Sequence, residues 1–392
     1  MSVTGPPPQA RRARAALAGL FFVNGAVFAN VVPRYPDIKA GLALTNGAFG
    51  AALGGYGLGA LVSGVMAGWL VRRFSSARVA PTSTVLLAAG LVMLGTAPGW
   101  WVLAVALFLA GACDSVADIA VNAHGLRVER RYGRSILNAF HGLWSVGAVT
   151  GGAMGAAAAG LGVPVRLHLS AAAVLFAVVA VLLHRFLLPG ADGADRRQPG
   201  RRERAPRRRQ VLLKVAALGT IAGCAQLIEE VGASWGTVYL RQDLAVGAAA
   251  AGLGFIALQT AQTVGRLLGD RVVTRFGDRV VARAGAAVVG LPMVAALAVP
   301  SPVATVVAFG AAGLGIGTLI PASLRTVDEI PGLSPGTGLT LVGLVLRVSL
   351  FVVPPVIGLL ADGVGLRTAL FVVPLAAAVV AVFSSALTGS RR

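Results

Sequence analysis

Long apolar runs alternate along the chain with short polar breaks, and most of the breaks carry arginine. Crossing about 30 Å of hydrocarbon takes roughly 20 apolar residues in a helix. Stretches of that kind lie at 14–32, 47–70, 79–97, 100–124, 137–160 and 166–188, then at 211–239, 246–268, 280–299, 302–324, 337–360 and 367–387. Each predicts an α-helix, because away from water only a helix or a closed barrel satisfies its own backbone hydrogen bonds. The twelve stretches fall into two sets of six, separated by 190–210, a segment rich in Arg, Gly, Pro and Asp with no apolar periodicity. Such a segment reads as a solvated tether or as a contact for anionic lipid. The expected architecture is an all-α membrane protein with twelve transmembrane helices in two pseudo-symmetric halves. Residues 1–189 form one six-helix bundle, 190–210 a cytoplasmic basic linker, and 211–392 the second bundle.

Composition agrees with this pattern and removes its rivals. The chain is 56% hydrophobic and 12% charged, with a mean hydropathy of +0.79. A soluble domain carries roughly 25% charged residues. The 52 glycines fit membrane helices that approach closely through small side chains. Cys113 and Cys224 are isolated in apolar runs, which excludes a disulfide framework, and no cluster has metal-ligand spacing. No phosphate-binding loop of the Gly-x-x-x-x-Gly-Lys-Ser/Thr type occurs, so neither a cofactor nor an enzymatic activity is expected. The net charge of +19 would suggest nucleic acid if it were concentrated on one face. It is instead divided among the breaks and therefore bears on topology. With the amino terminus inside, 28 of the 34 basic residues fall on the cytoplasmic side, and only Arg34, Lys39, Arg166, Arg241 and Arg367 fall outside. Both termini and the linker are thus expected in the cytoplasm of a multi-pass inner-membrane protein. Arg11, Arg12 and Arg14 before an apolar stretch imitate a secretory signal, but everything downstream is membrane-like, so this stretch reads as an uncleaved first helix.

The halves echo each other. Arg73-Phe74 after the second stretch and Arg275-Phe276 after the eighth lie 202 residues apart, and Arg127 and Arg325 close the fourth and tenth stretches. Matched basic breaks in two equal halves are the mark of a carrier built from parallel repeats.

On these residues the whole chain resembles the major facilitator superfamily. That family carries a Gly-x-x-x-Asp-Arg-x-Gly-Arg-type loop between spans two and three, repeated less strictly between eight and nine. The first copy here is Gly68-Trp69-Leu70-Val71-Arg72-Arg73, with arginine where the aspartate belongs. The second is Gly269-Asp270-Arg271 followed by Arg275-Phe276-Gly277. The segments Asp118 to Gly125, Phe140 to Ser145 and Gly265 to Arg271 are similar to a poorly characterised bacterial branch related to sugar permeases. The resemblance implies alternating access around a central cavity lined mainly by spans 1, 4, 7 and 10. Drug–proton antiporters of the family carry a Gly-Pro step in span five; Gly147 to Gly152 has the glycines and lacks the proline.

Charged side chains inside apolar runs cost several kcal/mol and call for a reason. Asp114 and Asp118 are four apart on one helix face, with Asp118 about 6 Å nearer the cytoplasm. Burial and a like-charged neighbour both favour the protonated form of a carboxyl group, which suits reversible protonation. Glu229 and Glu230 cannot face the same way: Gln226, Glu230 and Ser234 form one row, and Glu229 lies about 100° around the helix. The bacterial branch carries a glutamate six residues before a tryptophan, as Glu229 stands before Trp235. Asp114, Asp118 and Glu229 are therefore the candidates for proton coupling. Arg347 does not readily lose its charge, so it either pairs with a carboxylate or binds an anionic solute group. Asn24, Asn122, Gln226, Glu230, Trp235 and Gln259 join it as candidate solute contacts, and each of the amides serves equally well to join two helices.

The expected function is that of a secondary active carrier moving a small organic solute with protons, working as a monomer in the bilayer. Efflux of a metabolite or drug and a non-transporting receptor are the alternatives. The charge asymmetry predicts that Asp195→Cys, in a chain lacking Cys113 and Cys224, is shielded from an impermeant thiol reagent in intact cells, whereas Pro98→Cys reacts. Labelling of position 195 from outside overturns the orientation.

Overall fold

The computed structural model describes residues 7–133, 136–190, 208–330, 333 and 336–387, which are helical apart from short connections. The long helices are α1 (Pro8–Val31), α2 (Asn46–Phe74), α3 (Ser76–Thr96), α4 (Trp100–Tyr132), α5 (Leu137–Gly160) and α6 (Val165–His184), then α7 (Arg208–Ser234), α8 (Leu253–Phe276), α9 (Asp278–Ala298), α10 (Pro302–Ile316), α11 (Thr337–Val364) and α12 (Val372–Phe383). Short helices extend several of them, among them Tyr35–Gly41 after α1, Gly236–Gln242 after α7 and Leu319–Asp328 after α10. Among the described residues, ten helices are long and apolar enough to cross a membrane. The other two predicted stretches, α5 and α8, are helical as well; α8 carries Arg266, Asp270, Arg271 and Arg275 along its second half. The 190–210 segment lies outside the described residues except for Gly190 and residues 208–210, as do Arg134, Arg391 and Arg392.

The chain divides into two compact units. Unit 1 comprises Met1–Ala43 and Gly55–Arg196, and unit 2 comprises Leu44–Gly54 and Arg197–Arg392. In unit 1, α1 packs on α5, and α3 packs on α4 and α6. The same order of neighbours occurs in unit 2, where α7 packs on α11, and α9 packs on α10 and α12. Large apolar side chains point outward, Val65 at 85% and Leu291 at 72% exposed, as lipid-facing positions require.

Where helices meet, glycine brings the backbones together. A Cβ on Gly147 would overlap the Phe22 carbonyl and one on Gly151 the Ala26 carbonyl, so the glycine run in α5 is consumed by its contact with α1. Gly59 and Gly111 make the equivalent approach between α2 and α4, and Gly313 against Leu258 does so between α10 and α8.

Polar contacts hold the helix ends. In unit 1 the fully buried His124 of α4 bonds Ser76 Oγ through Nδ1 at 2.9 Å and accepts the Leu188 backbone N–H through Nε2 at 3.2 Å. One turn on, Arg127 donates to the carbonyls of Leu188, Pro189 and Gly190, so α4 fixes the chain leaving α6. In unit 2 the Asp362 carboxylate of α11 accepts the backbone N–H groups of Asn46 and Gly47, both at 2.8 Å, and caps the amino end of α2.

The breaks that resemble the family loop motif are almost entirely helical. Gly68, Arg72 and Arg73 lie within α2, and Gly269, Asp270, Arg271 and Arg275 within α8. A single residue joins each helix pair: Ser75 (φ 70°, ψ 146°) between α2 and α3, and Gly277 (φ 80°, ψ 152°) between α8 and α9. In both pairs the arginine two residues before the joint sets its guanidinium over the next phenylalanine ring, at 5.4 Å for Arg73–Phe74 and 5.4 Å for Arg275–Phe276. The conformation suits glycine and strains serine by about 1–3 kcal/mol. Ser75→Gly is therefore expected to raise the thermal unfolding temperature of the detergent-solubilised chain, and Gly277→Ala to lower it. A lower melting temperature for Ser75→Gly contradicts the strain.

Candidate functional site

Each unit places a carboxylate inside its helix bundle and gives it a polar partner on a neighbouring helix. In unit 1 this is Asp114 of α4, partly buried, whose carboxyl is hydrogen-bonded by the Tyr56 side chain of α2. The glycine contact makes that bond possible, because Gly111, one turn before Asp114, lies against the Tyr56 backbone. Tyr56 also meets Phe28 of α1, with ring centroids 5.4 Å apart. Asp118, one turn beyond Asp114, is exposed, and its Oδ1 accepts the Asn122 side-chain amide at 2.9 Å. The same amide reaches the Asp118 carbonyl, so Asn122 is tied to its own helix. Asn24 of α1 is 2% exposed, and its Oδ1 has no hydrogen-bond partner among the described residues.

In unit 2 the carboxylate is Glu229 of α7. Gln262 of α8 donates to its Oε2 at 2.8 Å, and Arg266, one turn further along α8, lies 3.8 Å from the same oxygen. Glu230 turns away, as the helical spacing requires, and accepts the Ser234 hydroxyl one turn on. Gln226 is half-buried, and Gln259 is buried with an unpartnered Oε1 among the described residues. Trp235, the residue between α7 and the short helix Gly236–Gln242, is fully buried and sets its ring edge-on to Phe49 at 5.8 Å; its Nε1 has no partner among the described residues. Arg347 of α11 is half-buried, and no carboxylate lies within ion-pair distance of it among the described residues.

Arg266 and Tyr56 were not foreseen as site residues. Arg266 was counted with the cytoplasmic breaks; in the structure it lies inside α8, and its side chain is 34% exposed and paired with Glu229. Its place was foreshadowed by spacing, since Gln262 and Arg266 are four apart and face the same way. The signal for Tyr56 was weaker: a phenol within an apolar run whose partner lies on another helix.

The family motif residues engage locally. Arg325, in the short helix after α10, contacts Asp278 at 3.1 Å and Asp270 at 3.9 Å. These are exposed or rim contacts and contribute little stability individually.

The sequence profile described as Major Facilitator Superfamily matches residues 17–235. The chain is 32% identical over 260 residues to the uncharacterized transporter y4wD of Sinorhizobium fredii, a match covering 66% of this chain and 67% of that protein. It is 26% identical over 347 residues to the membrane protein MosC of Rhizobium meliloti, covering 87% and 82% respectively. Among solved structures, the nucleoside transporter NupG superposes with a TM-score of 0.76 at 13% identity, over 95% of this chain and 98% of that one. A bacterial homolog of the human lysosomal transporter Spinster, inward-facing and unoccupied, gives 0.75 at 13% identity over 97% and 98%. At such identities the likeness is one of fold.

The Glu229 cluster predicts an energetic coupling between α7 and α8. Hydrogen bonds between membrane helices are worth about 1 kcal/mol. A double-mutant cycle of Glu229→Gln and Gln262→Leu, read on detergent-unfolding free energies, is expected to show a coupling of that size. Additivity within about 0.3 kcal/mol contradicts the contact.

Proposed function

The chain belongs to the major facilitator superfamily, and on that premise we propose that it is a proton-coupled secondary carrier of a small organic solute. It is an integral membrane protein, and its relatives include named transporters. In the proposed reading all twelve predicted stretches cross the inner membrane as two six-helix halves, with both termini in the cytoplasm. In this reading the carrier works by alternating access, exposing its solute site to one side of the membrane and then to the other.

One observation carries the coupling: Asp114 and Glu229, both within apolar helices, are held by side chains of a neighbouring helix. Side-chain contacts of this kind are released by a rotamer change when helices shift, whereas a backbone cap is not. A carboxyl group that loses its partner in one state and regains it in the other changes its proton affinity between states, and that difference couples protons to movement. Arg266 belongs to the same switch, since it competes with a proton for Glu229. Asp118, tied to Asn122 on an exposed turn, serves as the relay between Asp114 and the cytoplasm. Arg347, half-buried and with no carboxylate within ion-pair distance among the described residues, is proposed with Asn24, Gln226, Gln259 and Trp235 to contact the solute, and a guanidinium and amides suit a polar solute with an anionic or carbonyl group.

The solute is found by comparing metabolites in deletion and overexpressing cells, and the mechanism is tested with it in proteoliposomes. Asp114→Asn and Glu229→Gln are expected to reduce pH-driven accumulation to background while counterflow exchange persists, because exchange does not require the proton to cycle. Asp118→Asn is expected to slow accumulation without abolishing it. Uphill accumulation at the parental level in all three variants overturns proton coupling through these groups.

A further inference from the structure

Unit 2 carries an apolar groove away from the carboxylate cluster. It has a volume of about 460 Å³ and is walled by one stripe of α8, the first half of α9 and the end of α10. That volume lies within the range of about 300–1,000 Å³ usual for ligand pockets. The α8 wall runs through Leu268 and Val272 to Phe276 at the joint with α9, and Val280 and Ala284 face it from α9. Its lining offers almost nothing to hydrogen-bond, so a polar solute has no reason to stop there.

The end of the groove has the opposite character. Arg275 sets its guanidinium over the ring of Phe276, itself a groove wall, at 5.4 Å, and Arg271 stands one turn back on the same flank of α8. Both are exposed, and neither has a carboxylate partner among the described residues. The acidic residues nearby are already engaged, because Arg325 contacts both Asp270 and Asp278. The other two basic residues of the region turn aside: Arg279 donates to the carbonyls of Ser385 and Leu387, and Arg283 donates to Ser384 Oγ. The groove therefore ends in two uncompensated cations at a helix joint, with an apolar trough leading away from them along the helices.

An occupant of matching shape has a negatively charged head and a long apolar tail. We infer that this groove binds a membrane phospholipid with an anionic headgroup, its acyl chain lying along α8 and α9 and its phosphate held by Arg271 and Arg275. Basic side chains at an anionic membrane surface each contribute about a factor of five to binding, so the pair supplies a preference of about thirty-fold over a zwitterionic lipid with the same tails. The groove is separate from the proposed solute site.

The test uses the full-length chain in detergent, offered equal amounts of phosphatidylglycerol and phosphatidylcholine with identical acyl chains and examined by native mass spectrometry. The parent is expected to retain phosphatidylglycerol preferentially. Arg271→Gln with Arg275→Gln, both at exposed positions, is expected to remove the preference while leaving the unfolding temperature without lipid unchanged. Ala284→Trp, which fills the trough, is expected to reduce retention of both lipids. Equal retention of the two lipids by the parent, or an undiminished preference in the double arginine variant, overturns the assignment. So does a parental dimer that Ala284→Trp disperses, because the groove would then be covered by a second copy of the chain.

Discussion

Close approach of helix backbones is the condition on which the rest of this structure depends. Among lipid tails, apolar side chains gain little by leaving one apolar environment for another, so helices are held by van der Waals packing and by the polar contacts that packing permits. Gly147 and Gly151 bring α5 onto α1, Gly59 and Gly111 bring α4 onto α2, and Gly313 brings α10 onto α8. The polar chemistry follows from these contacts. Tyr56 reaches Asp114 because Gly111 has already placed the α2 backbone against α4, one turn away. A larger residue at that position would separate the helices and leave a carboxyl group in an apolar helix without its partner.

Much of this architecture could be read along the chain, because the signal for a membrane helix is local and long. Each of the twelve predicted stretches is helical, and the echo of Arg73-Phe74 in Arg275-Phe276 corresponds to two joints with nearly the same backbone conformation. The edges were less legible: α4 continues to Tyr132 and α8 to Phe276, since arginine favours helix as well as it marks a membrane surface. Arg266 shows the consequence. A basic residue near the end of an apolar run was counted as a topological charge, although it is an internal partner of Glu229. The divergent directions of Glu229 and Glu230 followed from helical geometry alone, and Ser234 met Glu230 as the spacing required. The Tyr56–Asp114 contact could not be read, because its partners lie on different helices and no periodicity links positions across a fold.

Many of the basic residues do structural work. Some fasten helix ends through backbone carbonyls, as Arg127 does at residues 188–190 and Arg367 does at Leu297 and Ala298. Others, such as Arg325 between Asp270 and Asp278, cross-brace neighbouring turns. The excess positive charge thus divides between groups with structural work and groups such as Arg271 and Arg275 that have no carboxylate partner among the described residues.

The one-residue joints at Ser75 and Gly277 leave no slack between the helices they connect. One added residue there would rotate the following helix by ~100° about its axis and shift it along the axis by ~1.5 Å. For α9 this would carry lipid-facing residues such as Leu291 toward the bundle and the buried Val289 and Met293 toward lipid. Substitution at these joints alters a local conformational energy, whereas a change of length alters the register of a whole helix. The two joints are therefore constrained in length more strictly than in residue type, because a strained residue costs one local conformation and an inserted one costs the packing of a helix.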